Sequence, residues 1–225
     1  MEPDKRELID LMVRCEVLRF GDFTAKSGRK TPYFVDAGRY RSGAQIAALG
    51  ELYARAIVQR FGSGFDVLFG PAYKGIPLVV ATATAFHARH GRDVGFCFNR
   101  KEAKDHGEGG NLVGHALRDG DRVLIVEDVT TAGTSIRETV PLLQRAAKVK
   151  LSGLIVAVDR MERGTGDDSA LSELSRSFGM PAWSLVTIEQ VMSDLHGRAV
   201  DGRVVLDDAM LARMRAYVAE HGPRG

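Results

Sequence analysis

The chain has 225 residues, 44% of them hydrophobic, with 31 Lys and Arg against 29 Asp and Glu for a formal charge of +2. That is enough apolar residue for one compact core with a small accessory region, and the near-neutral balance excludes the basic field of a nucleic-acid or membrane-surface binder. Cys15 and Cys97 lack C-x-x-C spacing and read as buried thiols of a reducing compartment, the charged N-terminus is no secretory signal, and the longest mostly apolar stretch, 76–86, is too short to span a bilayer, so a soluble cytoplasmic protein is expected.

Apolar residues at Leu8, Ile9, Leu11, Met12, Cys15 and Leu18 predict a first helix over 5–18, stopped by Gly21. After the turn 28–32, Tyr33-Phe34-Val35-Asp36 reads as a short strand, and Ser42 caps a long helix to about residue 61. From there strands over 66–69, 94–98, 122–126, 151–158 and 183–188 alternate with helices over 75–89, 134–147 and 169–178. Such alternation predicts an α/β fold, a central parallel sheet flanked by helices on both sides. A closing helix over 207–220 follows. His87 and His90 lie three apart near a helix end without a third ligand, so they belong to a solvated face and not to a metal.

The most informative run is Val123-Leu124-Ile125-Val126-Glu127-Asp128-Val129-Thr130-Thr131-Ala132-Gly133-Thr134-Ser135. Four apolar residues make a buried parallel strand that delivers Glu127 and Asp128 to its carboxyl end, where open α/β sheets bind ligands. Residues 130–135 then offer backbone N–H groups and hydroxyls at a helix N-terminus, an arrangement that favours an anion. Neither G-x-x-x-x-G-K-[ST] nor G-x-G-x-x-G occurs, so this is neither a Walker loop nor a dinucleotide fingerprint. Two acids beside a bare phosphate would repel it; beside a phosphorylated ribose they can accept hydrogen bonds from sugar hydroxyls and help hold a metal-bound ligand. The bland alternative is an ordinary β-α turn with Asp128 as helix cap.

Four further segments carry charge in turn-rich surroundings. Gly70-Pro71-Ala72-Tyr73-Lys74-Gly75 ends a strand in a tight turn that presents backbone amides and an ammonium group, suited to pyrophosphate. The run 100–110 gathers Arg100, Lys101, Lys104 and His106 with three glycines and almost nothing apolar, the composition of a lid that brings cations over a leaving group, or of a solvated connection. Arg160 directly follows the buried strand 151–158, where a guanidinium can grip a planar carboxylate or pair with Asp159 or Glu162. Lys26, in Phe23-Thr24-Ala25-Lys26-Ser27-Gly28, reads on its own as a surface cation.

The 123–135 run resembles the phosphoribosyl-pyrophosphate (PRPP) motif of type I phosphoribosyltransferases, and the basic run 100–110 resembles the catalytic loop of the orotate phosphoribosyltransferases among them. The likeness extends over about 20–164. It implies the type I fold in a single domain over 1–225, with a small N-terminal hood from about residues 1–40 over the base. It implies transfer of phosphoribosyl from PRPP to orotate, giving orotidine 5'-monophosphate and pyrophosphate in UMP biosynthesis, with Mg²⁺ held largely by PRPP and no protein metal ligand assigned. It also assigns PRPP contacts to Lys26, Tyr73, Lys74, Arg100, Lys101, Lys104 and His106 and to Glu127, Asp128, Val129, Thr130, Thr131, Ala132, Gly133, Thr134 and Ser135. Orotate falls to Lys26, Phe34, Val35, Thr131 and Arg160, and catalysis to Lys104, Asp128, Lys26 and His106. By the same likeness Arg100, Lys104 and His106 serve the partner's site, which makes a homodimer the catalytic unit. Two departures stand out: Glu127 where Asp is usual, reaching one methylene further, and Val35 in place of a frequent second aromatic.

Two rivals share the PRPP motif. A transferase for a purine or other base has no reason to combine Lys26, Arg160 and the long basic loop. A PRPP-binding regulator acting on nucleic acid calls for a basic face or an added module, which the charge balance disfavours. A two-step UMP synthase needs a decarboxylase barrel that this sequence does not contain.

Overall fold

The computed structural model describes residues 1–25, 28–101, 111–130 and 133–224. The chain opens with α1 (Pro3–Arg14), which buries Leu8, Ile9 and Met12 as one stripe. The helix ends before the predicted residue 18 because Glu16 turns to a left-handed φ of 55° after the Cys15 N–H has closed on the Leu11 carbonyl. Residues that would have continued it instead enter β1 (Leu18–Thr24), which pairs antiparallel with β2 (Lys30–Val35) as a separate two-stranded sheet. In β2, Tyr33 and Val35 point one way and are buried, while Phe34 points the other way and is half-buried against Phe23.

The second helix, α2 (Gly43–Phe61), begins where the Ser42 hydroxyl accepts from the Gln45 N–H at 3.3 Å. The alternating core follows as β3 (Val67–Gly70), α3 (Gly75–His90), β4 (Gly95–Asn99), β5 (Leu112–Gly114), β6 (Arg122–Thr130), α4 (Thr134–Ala146), β7 (Lys150–Asp159), α5 (Ala170–Phe178) and β8 (Ala182–Thr187). These strands form one sheet in the order β5-β4-β3-β6-β7-β8, parallel throughout except for β5, which returns antiparallel along β4. Beyond β8 lie α6 (Ile188–Leu195), a minimal hairpin of β9 (Ala199–Val200) and β10 (Arg203–Val204), and α7 (Asp208–His221). The predicted strand 183–188 thus gives way to a helix one residue early, at Thr187, which builds a capping box with Gln190.

Strand alternation sorts the core into two layers. Leu68, Leu124, Val126, Ile155 and Ala157 pack on the face shared with α1, α2 and α3, and Val67, Phe69, Val123, Ile125, Leu154 and Val156 on the face shared with α4 and α5. From β3 the chain moves outward to β4 on one side, and from β6 through β7 to β8 on the other. The reversal between β3 and β6 opens a crevice beyond their carboxyl ends, the usual ligand position in such sheets. Cys15 and Cys97 are buried and unpaired. No helix among the described residues is long and apolar enough to cross a membrane.

Candidate active site at the carboxyl edge of the sheet

The crevice is bounded by the loops that leave β3, β4, β6 and β7. After β3, residues Pro71 to Lys74 turn so tightly that the glycines at either end almost touch: a Cβ on Gly70 would lie 2.2 Å from the Gly75 carbonyl oxygen. Only glycine permits that approach. The Ala72 N–H donates to Asn99 Oδ1 at 2.8 Å, which fastens the turn to the end of β4. Tyr73 and Lys74 are both exposed, and the Lys74 Nζ lies 3.3 Å from Asp36 Oδ1 and 3.6 Å from Asp128 Oδ2.

β6 runs through Glu127 and Asp128 to Thr130, further than the four apolar residues predict, and its alternation sends the two acids to opposite faces. Asp128 faces Lys74. Glu127 is buried, and its Oε2 accepts from the Ser135 hydroxyl at 2.8 Å while its own backbone carbonyl accepts from Tyr53 OH at 2.7 Å. Burial first, and then the neighbouring charge of Asp128, pushes the Glu127 carboxyl up to about 8. The additional methylene therefore carries the acid back onto the first turn of α4. Gly133 caps that helix with a φ of 73°, and a Cβ there would press to 2.8 Å from Leu174, so the turn needs glycine on two counts. Thr134 is exposed, whereas Thr130 is buried with an Oγ1 that has no partner among the described residues.

Some of the expected PRPP residues line two separate hollows, while Glu127, Thr130, Gly133 and Thr134 line neither. Tyr73, Lys74, Asp128 and Val129 line one of about 430 Å³, together with Val35 of β2. Arg100, Lys101 and Ser135 line another of about 480 Å³, with Pro71 and Ala72 on its wall. The base of the basic loop is clasped where the Arg100 N–H donates to the Asn111 carbonyl at 2.8 Å. Lys26, Lys104, His106, Thr131 and Ala132 lie outside the described residues.

Of the orotate candidates, Phe34 turns toward Phe23 with the Arg19 guanidinium 5.8 Å from its ring, and Val35 faces the first hollow. Arg160 forms the ion pair named above as an alternative, with Glu162 at 2.6 Å; Asp159 instead accepts from the Met161 N–H. Asp36 and Asn99 were not singled out by sequence. Both stand at strand ends, Asp36 as the last residue of the predicted strand and Asn99 directly before the basic run 100–110, and this position was the available signal.

A family model for the phosphoribosyl transferase domain matches residues 37–179. The orotate phosphoribosyltransferase of Lachnoclostridium phytofermentans is 53% identical over 222 residues, covering 99% of each chain. Among solved structures, the orotate phosphoribosyltransferase of Francisella tularensis superposes with a TM-score of 0.79 at 35% identity, covering 95% of this chain and 98% of that one. That of Mycobacterium tuberculosis in complex with PRPP gives 0.62 at 26% identity over 84% of this chain and 99% of that one. With the parallel sheet, the paired acids at the end of β6 and the fastened turn after β3 in place, this chain belongs to the orotate phosphoribosyltransferases, with the type I fold.

Proposed function

We propose that this enzyme transfers the phosphoribosyl group of PRPP to a ring nitrogen of orotate, releasing pyrophosphate in pyrimidine biosynthesis. One observation carries the reading: Asp128, Lys74 and the Gly133 turn lie at the switch point between β3 and β6, with Arg160 at the end of the adjacent strand β7 on the same sheet edge. In the reaction the anomeric C–O bond to pyrophosphate breaks as the C–N bond to orotate forms, through an oxocarbenium-like state. The protein need supply no nucleophile; its work is orientation and stabilisation of separating charge.

Asp128 accepts from the ribose hydroxyls and lies near the developing positive charge, with Glu127 behind it holding Ser135 in the 5'-phosphate turn. Residues 131–135 cradle the 5'-phosphate, and Tyr73, Lys74 and Lys101 meet pyrophosphate. Lys74 leaves its two carboxylates for that ligand. Lys26, Phe34, Val35, Thr131 and Arg160 form the base site beneath a hood made by residues 1–40. No group of three or more His, Cys, Asp or Glu among the described residues is placed to cage a metal. Asp36 and Asp128 nonetheless converge on a cation, which fits an ion carried mainly by substrate oxygens. Asp128 would help to hold Mg²⁺ alongside the PRPP oxygens, and the ion would supply charge neutralisation for pyrophosphate. Arg100, Lys104 and His106 complete the partner's site in a cytoplasmic homodimer, Lys104 aiding pyrophosphate departure.

The test is orotate consumption by the purified protein with PRPP and Mg²⁺, beside hypoxanthine, adenine and uracil, repeated for Lys104→Ala. Turnover of orotate alone, falling on the order of 100-fold in the variant, is the expected result. Turnover of another base would overturn the base-site assignments, and PRPP binding without any turnover would put the regulator reading in its place.

A further inference from the structure

Glu162 has no assigned part in the site, yet its carboxylate is almost fully buried, at 6% exposure, and four donors converge on it. Oε1 accepts from Arg160 Nε at 2.9 Å, from Arg160 Nη2 at 2.6 Å and from Tyr217 OH at 2.7 Å; Oε2 accepts from Arg29 Nη1 at 3.1 Å. These groups come from the end of β7, the middle of α7 and the turn ahead of β2, three places far apart in sequence. A buried carboxylate that is fully paired costs little in place, and it strongly restrains whatever it pairs with.

What it restrains is the Arg160 guanidinium. The Tyr33 ring lies 4.6 Å from Arg160 Cζ, which fixes the guanidinium plane, and Tyr33 is itself held edge-on by Tyr217 at 5.9 Å. Oε1 then holds the Nε and Nη2 hydrogens, which fixes rotation within that plane. Arg160 is itself buried, at 6% exposure, and among the described residues its Nη1 makes no hydrogen bond, so the far end of the fork is the one left to pair with a ligand. Arg160 follows Asp159, which pairs with Thr130 across the sheet, so that free end belongs to the same carboxyl edge as the 5'-phosphate turn.

We propose that Glu162 is a positioning residue, which with Tyr33 and Tyr217 sets the Arg160 guanidinium to receive the carboxylate of orotate. This rests on the reading of Arg160 as the group that grips orotate. It gives α7 a part in base recognition, since Tyr217 reaches Arg160 both through Glu162 and through the ring of Tyr33. A freely rotating guanidinium would have to lose that freedom on binding, and one already clamped does not.

Steady-state kinetics on the full-length protein would be run for Glu162→Gln, Tyr217→Phe and Arg160→Lys, varying orotate and PRPP separately and recording thermal midpoints. Glu162→Gln is expected to raise the orotate KM about ten-fold with the PRPP KM within about two-fold, and Tyr217→Phe, which removes only a hydroxyl and keeps the packing, to move orotate KM about three-fold in the same direction. An unchanged orotate KM in either folded variant overturns the positioning role. So does a rise of both KM values together with a lowered midpoint, the mark of a purely structural pair. If Arg160→Lys itself leaves orotate KM unchanged, the carboxylate assignment fails whatever Glu162 does; if Arg160→Lys weakens orotate and Glu162→Gln does not, only the positioning inference falls.

Discussion

Glu127 is the residue at which this chain departs from the usual motif, and its surroundings give the departure a measurable sign. Burial, ahead of the charge of Asp128, raises the carboxyl from its ordinary value near 4.5 to about 8. Between those values the folded protein holds a proton that the unfolded chain has released. Proton linkage then requires folding stability to fall as pH rises through that window, the reverse of a salt-bridged carboxylate. Chemical denaturation of the ligand-free enzyme at pH 5.5 and pH 8.5 should show a lower midpoint at the higher pH. Glu127→Gln, which keeps an acceptor for the Ser135 hydroxyl at 2.8 Å and cannot ionise, should flatten the difference. An equal slope in the variant would mean that the proton sits elsewhere. The same substitution weakens PRPP binding if the acid also meets the ribose, so stability and PRPP KM separate its two tasks.

At the scale of elements, the turn after β3 depends on β4 for its shape. Asn99→Ala removes the acceptor of the half-buried Ala72 N–H, a loss of about 1–3 kcal/mol when no substitute partner is near. The PRPP KM should rise several-fold while orotate KM holds, and equal rises in both would refute a role confined to this turn. The central elements were legible because each announced itself twice: β6 by an apolar run and α4 by the glycine-bearing turn before it, β3 by its run and the turn by Gly70 and Gly75. β1 was not legible. A register slip between Phe20 and Phe23 breaks its alternation, and the chain leaves α1 through Glu16, a left-handed non-glycine just past the helix that carries no stop signal. The capping box of Thr187 and Gln190 was present in the letters but masked by the strand running into it. In the site, motif residues on loops were readable from type and spacing. Asp36 and Asn99 act through partners 38 and 27 positions away, and Glu162, readable in sequence as a neighbour of Arg160, also binds Arg29 and Tyr217, 133 and 55 positions away; contact between such distant segments leaves no local pattern.

For the molecule as a whole, the remaining question is whether one chain holds a complete site. The clasp between Arg100 and Asn111 sets both ends of the basic loop at the carboxyl edge, beside the 480 Å³ hollow. If the loop serves the neighbouring subunit, two different defects can cancel. A Lys104→Ala subunit retains a sound β6 edge and lacks the loop cation; an Asp128→Asn subunit retains the loop and lacks the ribose acid. Each homodimer would be close to inactive. Random exchange makes half the dimers mixed, and each mixed dimer holds one site in which the sound edge of the first subunit meets the sound loop of the second. Mixing the two variants in equal amounts and allowing subunits to exchange should therefore restore about a quarter of wild-type turnover. A loop that closes over its own subunit gives no recovery at all, because every site in every dimer would then carry one of the two defects. The experiment reads loop crossing and dimeric catalysis in one number, without requiring either homodimer to bind substrate normally.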